Sequence, residues 1–505
     1  MASIENGRKL RLAISFICAV IGMASAGTLY MFGLYSNSLA DKLNYSQTQT
    51  STIGLVGDIG GFILSPLVGS GVDRLGHRRV CVLAAIFLSS GYIAMALTYN
   101  AGLATTSFIA MSLYFALVGL GSNCAYMASV SAQAKNFSSQ HRGIALGVPI
   151  GAYGLSAFIW SQIGRVFFFK DGDLDTYAFL FFMGLVTAGI NLVNVVGLAK
   201  VRTPTATAEE EEGEVSGTND SANLAGQRLE EGAPLLQDPA TSMEGAHVTI
   251  DSPNMIEDAD SKISIEDRPF FADVGMWVFI TGLTMLSGSG MLYINSIGSI
   301  VEALYGKAVE TGITDLDSLS GNHTVAALTT LHVSLISACS CSGRVLAGIV
   351  SDWAKRRGID RLWFFILAGC IMTYGQFLAA TTIAPGNNSL LMVTLLIGTA
   401  YGTIFTVSPT ITTELWGLRN FGRNWGWMSW APGIGGMLFN LVFGVVFDSR
   451  SGGPGKRCHE GRSCFAPALY LTTLASLAGI IMGVLMLCYV RVNRAHYTPL
   501  TENRA

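Results

Sequence analysis

Gly69-Ser-Gly-Val-Asp73-Arg74-Leu-Gly76-His77-Arg78-Arg79, read beside Gly348-Ile-Val-Ser-Asp352-Trp-Ala-Lys355-Arg356-Arg357, decides the fold of this chain. Both stretches follow a long apolar run, place an aspartate four residues after a glycine and end in a basic cluster; the two aspartates are 279 positions apart. A second echo pairs Asn136-Phe137 with Asn420-Phe421 and Pro149 with Pro432, at offsets of 284 and 283. Two unrelated features recurring at nearly one offset imply a duplicated structural unit.

Outward from these loops, apolar runs dominate. The 505 residues are 50% hydrophobic and 13% charged, with a mean hydropathy of +0.46, whereas soluble domains carry about 25% charged residues. Twelve runs, from Leu12–Tyr35 to Ala466–Val490, are each long enough to cross about 30 Å of hydrocarbon as a helix. Strands of a membrane barrel would be half as long and alternating, so the expected class is an all-α integral membrane fold of two pseudo-symmetric six-helix halves. The first run lacks a small-residue cleavage site and is read as a retained helix.

The chain divides into an N-terminus at 1–11, a six-helix bundle at 12–199, a hydrophilic linker at 200–272, a second bundle at 273–490 and a tail at 491–505. The linker holds 16 acidic and 5 basic residues in 73 positions, too polar to build a core, and is expected to be disordered. It hides a contrast inside the formal charge of −3: the linker carries −11 and the remainder +8. A net charge this small excludes a basic nucleic-acid binder. With both termini on the cytosolic side, 23 of the 31 Lys and Arg are cytosolic, as the positive-inside rule requires.

The pattern G-x-x-x-D-R-x-G-x-R-R after helix 2, its degenerate copy after helix 8 and the long central linker resemble the major facilitator superfamily. Asn136-Phe137 with Arg142-Gly143, Glu414 with Phe421-Gly422, and Cys458-x5-Cys464-Phe465 resemble its nodulin-like and monocarboxylate-transporter-like branch, near the fungal vacuolar monocarboxylate transporter homologues. The resemblance implies that Gly69, Asp73, Arg74, Gly76 and Arg78, with Gly348, Asp352 and Arg356, latch the halves in one alternating state. It also implies that Arg344, in helix 8, binds an anionic substrate. Its relatives carry an aspartate four residues before this arginine, where Ser340 stands here. A guanidinium suits a carboxylate because two parallel hydrogen bonds form; the alternative is a side chain that snorkels towards the Asp352 loop.

Two further groups lie inside spans. Asp58, within Gly54-Leu-Val-Gly57-Asp58-Ile-Gly60-Gly61, is far from a helix end, where a charge is costly and rarely faces lipid. It is the candidate proton carrier, or else an interhelical hydrogen-bond partner. Because an imidazole in water titrates near neutrality, His332 is read as a substrate-binding residue, or else as a packing one. Pro149 and Pro432 sit among glycines and are candidate hinges. Cys458 and Cys464, six positions apart around Gly461 on the side away from the cytosol, are a candidate disulfide.

Glu231 with Leu235 and Leu236 forms an acidic dileucine pattern, and Tyr497 to Leu500 a tyrosine-based one, both readable by sorting adaptors and both pointing to a vacuolar, lysosome-like membrane ahead of the plasma membrane. No nucleophile–base constellation, metal cluster or nucleotide loop stands out, so the expectation is a non-enzyme without cofactor. The expected function is a monomeric secondary or facilitative carrier of a small organic anion, in which a proton is the candidate coupling ion. The alternatives are an exporter of amino acids, metal or another metabolite, and a non-transporting sensor that signals through the linker.

Overall fold

Once inside hydrocarbon, every backbone N–H and C=O must pair within the chain, so each of the twelve apolar runs becomes a helix. The computed structural model describes residues 2–102, 107–170, 173–199, 201, 270–310, 321–383, 389–451, 458 and 460–497. The linker from 202 to 269, with Glu231, Leu235 and Leu236, and the tail beyond 497 lie outside the described residues.

The spans are α1 Glu5–Leu34, α2 Thr52–Leu75, α3 His77–Ala101, α4 Phe108–Asn136, α5 Arg142–Phe167, α6 Thr176–Gly197, α7 Val274–Tyr305, α8 Ala327–Lys355, α9 Leu362–Thr381, α10 Ser389–Trp416, α11 Phe421–Ser451 and α12 Ala466–Asn493. Each is long and apolar enough to cross a membrane. A two-residue antiparallel ladder, Phe169–Lys170 with Asp173–Leu174, lies between α5 and α6.

The duplication seen in the loops extends to the packing. In the first half α1 lies on α5, α2 on α4 and α3 on α6; in the second α7 lies on α11, α8 on α10 and α9 on α12. Many hydroxyls inside the spans are satisfied by their own helix. Ser408, Thr410 and Thr412 on α10 each donate to the carbonyl four residues earlier. Exposed apolar side chains such as Leu67, Val166, Val196 and Leu441 lie on the outside of the bundle, where lipid covers them.

Three spans depart from regular helix. α1 tightens into 3₁₀ geometry over Gly27–Leu34. α2 breaks between Gln47–Phe62 and Ser65–Leu75, and α11 breaks between Phe421–Met428 and Trp430–Ser451. Both breaks have one cause: proline lacks an N–H and its ring collides with the carbonyl four residues back. Pro66 stands four residues after Phe62, and Pro432 four after Met428. Pro149 lies within α5, which continues unbroken from Arg142 to Phe167. Of the two prolines expected to act as hinges, Pro432 therefore coincides with an interruption and Pro149 does not, while Pro66 supplies the second interruption.

Asp273 starts the second half. It is fully buried, and its carboxylate accepts from Gly275 N (2.9 Å), Tyr489 Oη (2.6 Å) and Trp416 Nε1 (2.7 Å), tying the head of α7 to α10 and α12. Asp273→Asn turns one acceptor into a donor facing a donor. It should cost about 1–3 kcal/mol, read as a lower unfolding temperature of the purified protein.

Candidate functional site

The end of the bundle that carries the α2–α3 and α8–α9 loops is closed by a reciprocal pair of contacts. Asp73, from α2, accepts a hydrogen bond from the backbone N of Arg423 at the start of α11 (2.8 Å) and pairs with Lys135 Nζ (2.8 Å). Asp352, from α8, accepts from the backbone N of Gly143 (2.7 Å) and Ile144 (2.8 Å) at the start of α5, and from Arg361 Nη2 (2.8 Å). Each half thus sets a carboxylate on the positive end of a helix in the other half.

Glycines make this possible. A Cβ on Gly69 would collide with the Gly422 carbonyl, and one on Gly422 would lie 2.5 Å from the Gly69 carbonyl. Gly348 and Gly143 are related in the same way: a Cβ on Gly348 would lie 2.5 Å from the Gly143 carbonyl. Only glycine lets the backbones approach this closely. Gly76, at φ +83°, occupies the left-handed region and turns the chain from α2 into α3.

The cations beside the two aspartates differ from those named by the motif. Arg74, Arg78 and Arg356 are exposed. Lys135 serves Asp73, and Arg361, which is 1% exposed, serves Asp352. Arg361 also bonds Glu414 through Nε (2.8 Å), and Glu414 takes Lys355 as a second partner (3.1 Å). The repeat does carry the signal for the glycine contacts, because moving Gly143 forward by 279 positions lands on Gly422.

Above this closure lies a cavity shared by the two halves, whose wall includes Phe62, Tyr126, Tyr153, Tyr401, Phe405 and Trp425. Ser65 and Ser429, at the two helix breaks, also line it, as does Pro432. Among the described residues, the hydrogen bonds that join the halves run from the closed end only as far as Ile150 and Ile63. The structure is therefore the state sealed at the motif-bearing end.

Arg344 lies just behind the cavity wall, against Ile150 and Phe405, which line it. It is 4% exposed, its Nη1 donates to the Ile150 carbonyl (2.9 Å), and its guanidinium carbon is 5.8 Å from the centre of the Phe405 ring. Its Nε is buried without a partner, and no carboxylate pairs with it among the described residues. Asp352 is engaged elsewhere, so the snorkelling alternative does not describe this side chain. Gly154 makes room for it, since a Cβ there would collide with Nη1. Gly154→Ala should displace the guanidinium and raise the half-saturating substrate concentration about tenfold, measured as initial flux in liposomes.

Asp58 faces the same region from α2. It is half-buried, and both it and Arg344 act electrostatically on the hydroxyls of Tyr153 and Tyr401. His332 is placed elsewhere. Its Nδ1 meets Thr394 Oγ1 (2.8 Å), which also meets Tyr293 Oη (2.8 Å), so the imidazole joins α8 to α10 and α7. Cys458 and Cys464 are joined by a disulfide in the segment between α11 and α12.

Known proteins resemble this chain over most of its length. The chain is 28% identical to "Probable transporter mch1" of Neurospora crassa, with 93% of this chain and 86% of that protein covered. It is 27% identical to the protein of the same name from Emericella nidulans, covering 89% and 82%. Among solved structures, the proton:xylose symporter XylE bound to 6-bromo-6-deoxy-D-glucose has a TM-score of 0.64 at 14% identity, covering 96% of both chains; this likeness concerns the fold. Because the model of the Major Facilitator Superfamily also matches residues 13–440, across both halves and both Gly-x-x-x-Asp loops, the chain belongs to that superfamily and is a multi-pass membrane transporter.

Proposed function

We propose that this transporter carries a small organic anion, of the monocarboxylate type, by alternating access. One observation carries the reading: Arg344, a buried guanidinium set against Ile150 and Phe405 of the cavity wall, has an unpartnered Nε and no paired carboxylate among the described residues. A buried charge is costly unless paired. A substrate carboxylate that enters the cavity supplies the missing partner and meets the planar donor set with two hydrogen bonds.

The motif-bearing end is the cytosolic one in this reading, since the basic helix ends collect there. The vacuolar membrane is its address, with sorting adaptors reading the linker. The two aspartate latches hold the state sealed on the cytosolic side, and their release admits substrate from the cytosol. The breaks at Pro66 and Pro432 lie beside the cavity, where a small change of angle moves the latch helices.

Asp58 takes the role of proton carrier. It brings a titratable carboxyl into the same region from the opposite half, and it replaces the carboxylate that Ser340 lacks. Uptake of radiolabelled phenylacetate and lactate into liposomes containing the purified protein tests the proposal. Flux that responds to an imposed pH gradient is expected, and flux by neither acid under a gradient or in exchange would refute the carboxylate assignment. Asp58→Asn should leave binding intact and flatten the pH dependence of flux. A full pH response in that variant would remove Asp58 from the coupling step.

A further inference from the structure

We infer that the cargo is a carboxylate borne on a flat aromatic frame, rather than a short aliphatic acid or a polyhydroxylated solute; this rests on the anion-binding reading of Arg344. The cavity wall is aromatic on both sides. Phe62, Tyr126 and Tyr153 come from the first half, and Tyr401, Phe405 and Trp425 from the second. The rings already meet one another in edge-on and tilted pairs, Tyr126 with Tyr153 at 5.2 Å and Tyr401 with Phe405 at 4.7 Å between centroids. Such walls favour a further ring over an alkyl group of equal size, because ring edges and faces carry opposite partial charge.

The serine and asparagine groups of the wall point away from a sugar-like cargo. Ser65 Oγ donates to the Gly61 carbonyl (3.0 Å) and Ser429 Oγ to the Trp425 carbonyl (2.9 Å). Ser122 donates to the Ala26 carbonyl, and the Asn123 amide nitrogen donates to Ser65 Oγ (2.6 Å) and to the Gly61 carbonyl. These groups are committed to helix backbone and to each other, which leaves the phenol hydroxyls of Tyr30, Tyr126, Tyr153 and Tyr401 among the wall's other polar groups, and Tyr153 and Tyr30 already meet one another (3.4 Å). A polyol would need about one fresh partner for each hydroxyl it surrenders from water, whereas an aromatic acid needs partners only for its carboxylate. Arg344, 5.8 Å from the Phe405 ring, sets the charge-binding group next to the aromatic wall.

Calorimetric titration of the full-length protein in detergent, with phenylacetate, cyclohexylacetate, propionate, 2-phenylethanol and glucose as the probes, decides the matter. Phenylacetate should bind about three- to tenfold more tightly than cyclohexylacetate, and by a larger factor over propionate. Phe405→Leu should erase most of the margin of phenylacetate over cyclohexylacetate, read as the ratio of the two dissociation constants in that variant. Equal binding of phenylacetate and cyclohexylacetate, or of phenylacetate and propionate, would overturn the aromatic inference and leave the anion reading standing. Glucose binding as tight as that of phenylacetate would likewise overturn it. If 2-phenylethanol bound as tightly as phenylacetate, and Arg344→Gln changed neither, the anion reading itself would fall.

Discussion

Arg344→Gln should reduce carboxylate flux by about a hundredfold or more, with no loss of folding. Two charge-assisted hydrogen bonds of about 1.5–3 kcal/mol each correspond to roughly 10²–10⁴ in affinity. The guanidinium is 4% exposed, and its partners are one carbonyl and the face of Phe405. Neutralising an incompletely paired buried charge relieves the cost of burying it, so the unfolding temperature of the variant should hold or rise. Arg344→Lys keeps the charge but loses the planar fork, and should recover only a small part of the flux. A variant that unfolds early and transports normally once folded would assign Arg344 to structure instead. Flux and thermal unfolding, measured on the same preparation, separate the two outcomes.

The second large effect concerns the latches, which are related by the repeat but not equal. Asp352 accepts from two backbone N–H groups and from a fully buried arginine; Asp73 accepts from one backbone N–H and from a lysine. Losing one charge-assisted bond across the halves costs about 1.5–3 kcal/mol; Asp352 accepts two from backbone N–H groups, of Gly143 and Ile144, and Asp73 accepts one, from Arg423. Asp352→Asn should therefore depopulate the sealed state by more than a hundredfold, and Asp73→Asn by roughly tenfold to a hundredfold. Spin labels at the exposed positions Arg78 and Arg356 report the opening as a longer distance population. Equal distance distributions in the two variants would show that the extra partners of Asp352 contribute nothing to closure.

The helical count, the class and the duplication were legible in one dimension. Spans of twenty or more apolar residues leave the backbone no alternative to helix, and the matched Gly-x-x-x-Asp stretches mark the two copies. Asp73, Asp352 and Arg344 were also legible, because a charge beside or inside such a span needs a compensating partner. Their partners were harder to see. Lys135 and Arg361 are ordinary basic residues at helix ends, and Arg74, Arg78 and Arg356 look like better candidates until exposure separates them. His332 has the chemistry of a ligand in isolation, and the hydroxyl of Thr394 gives it a place between α8, α10 and α7.

The break at Pro66 was within reach of the sequence, since the rule that places the interruption at Met428 from Pro432 places the one at Phe62 equally. Pro149 shows the limit of that rule, for α5 carries its proline without a break. By itself the sequence determined that the chain crosses a membrane in two related bundles, because apolar length and charge position are local properties set by the cost of unpaired backbone and charge in hydrocarbon. Only the tertiary structure decided which end is sealed, which cations hold the latches, and that seven aromatic side chains from two halves converge beside an arginine with no carboxylate partner among the described residues. Those outcomes depend on side chains hundreds of residues apart meeting across glycine contacts, and no spacing along the chain encodes a distance between helices.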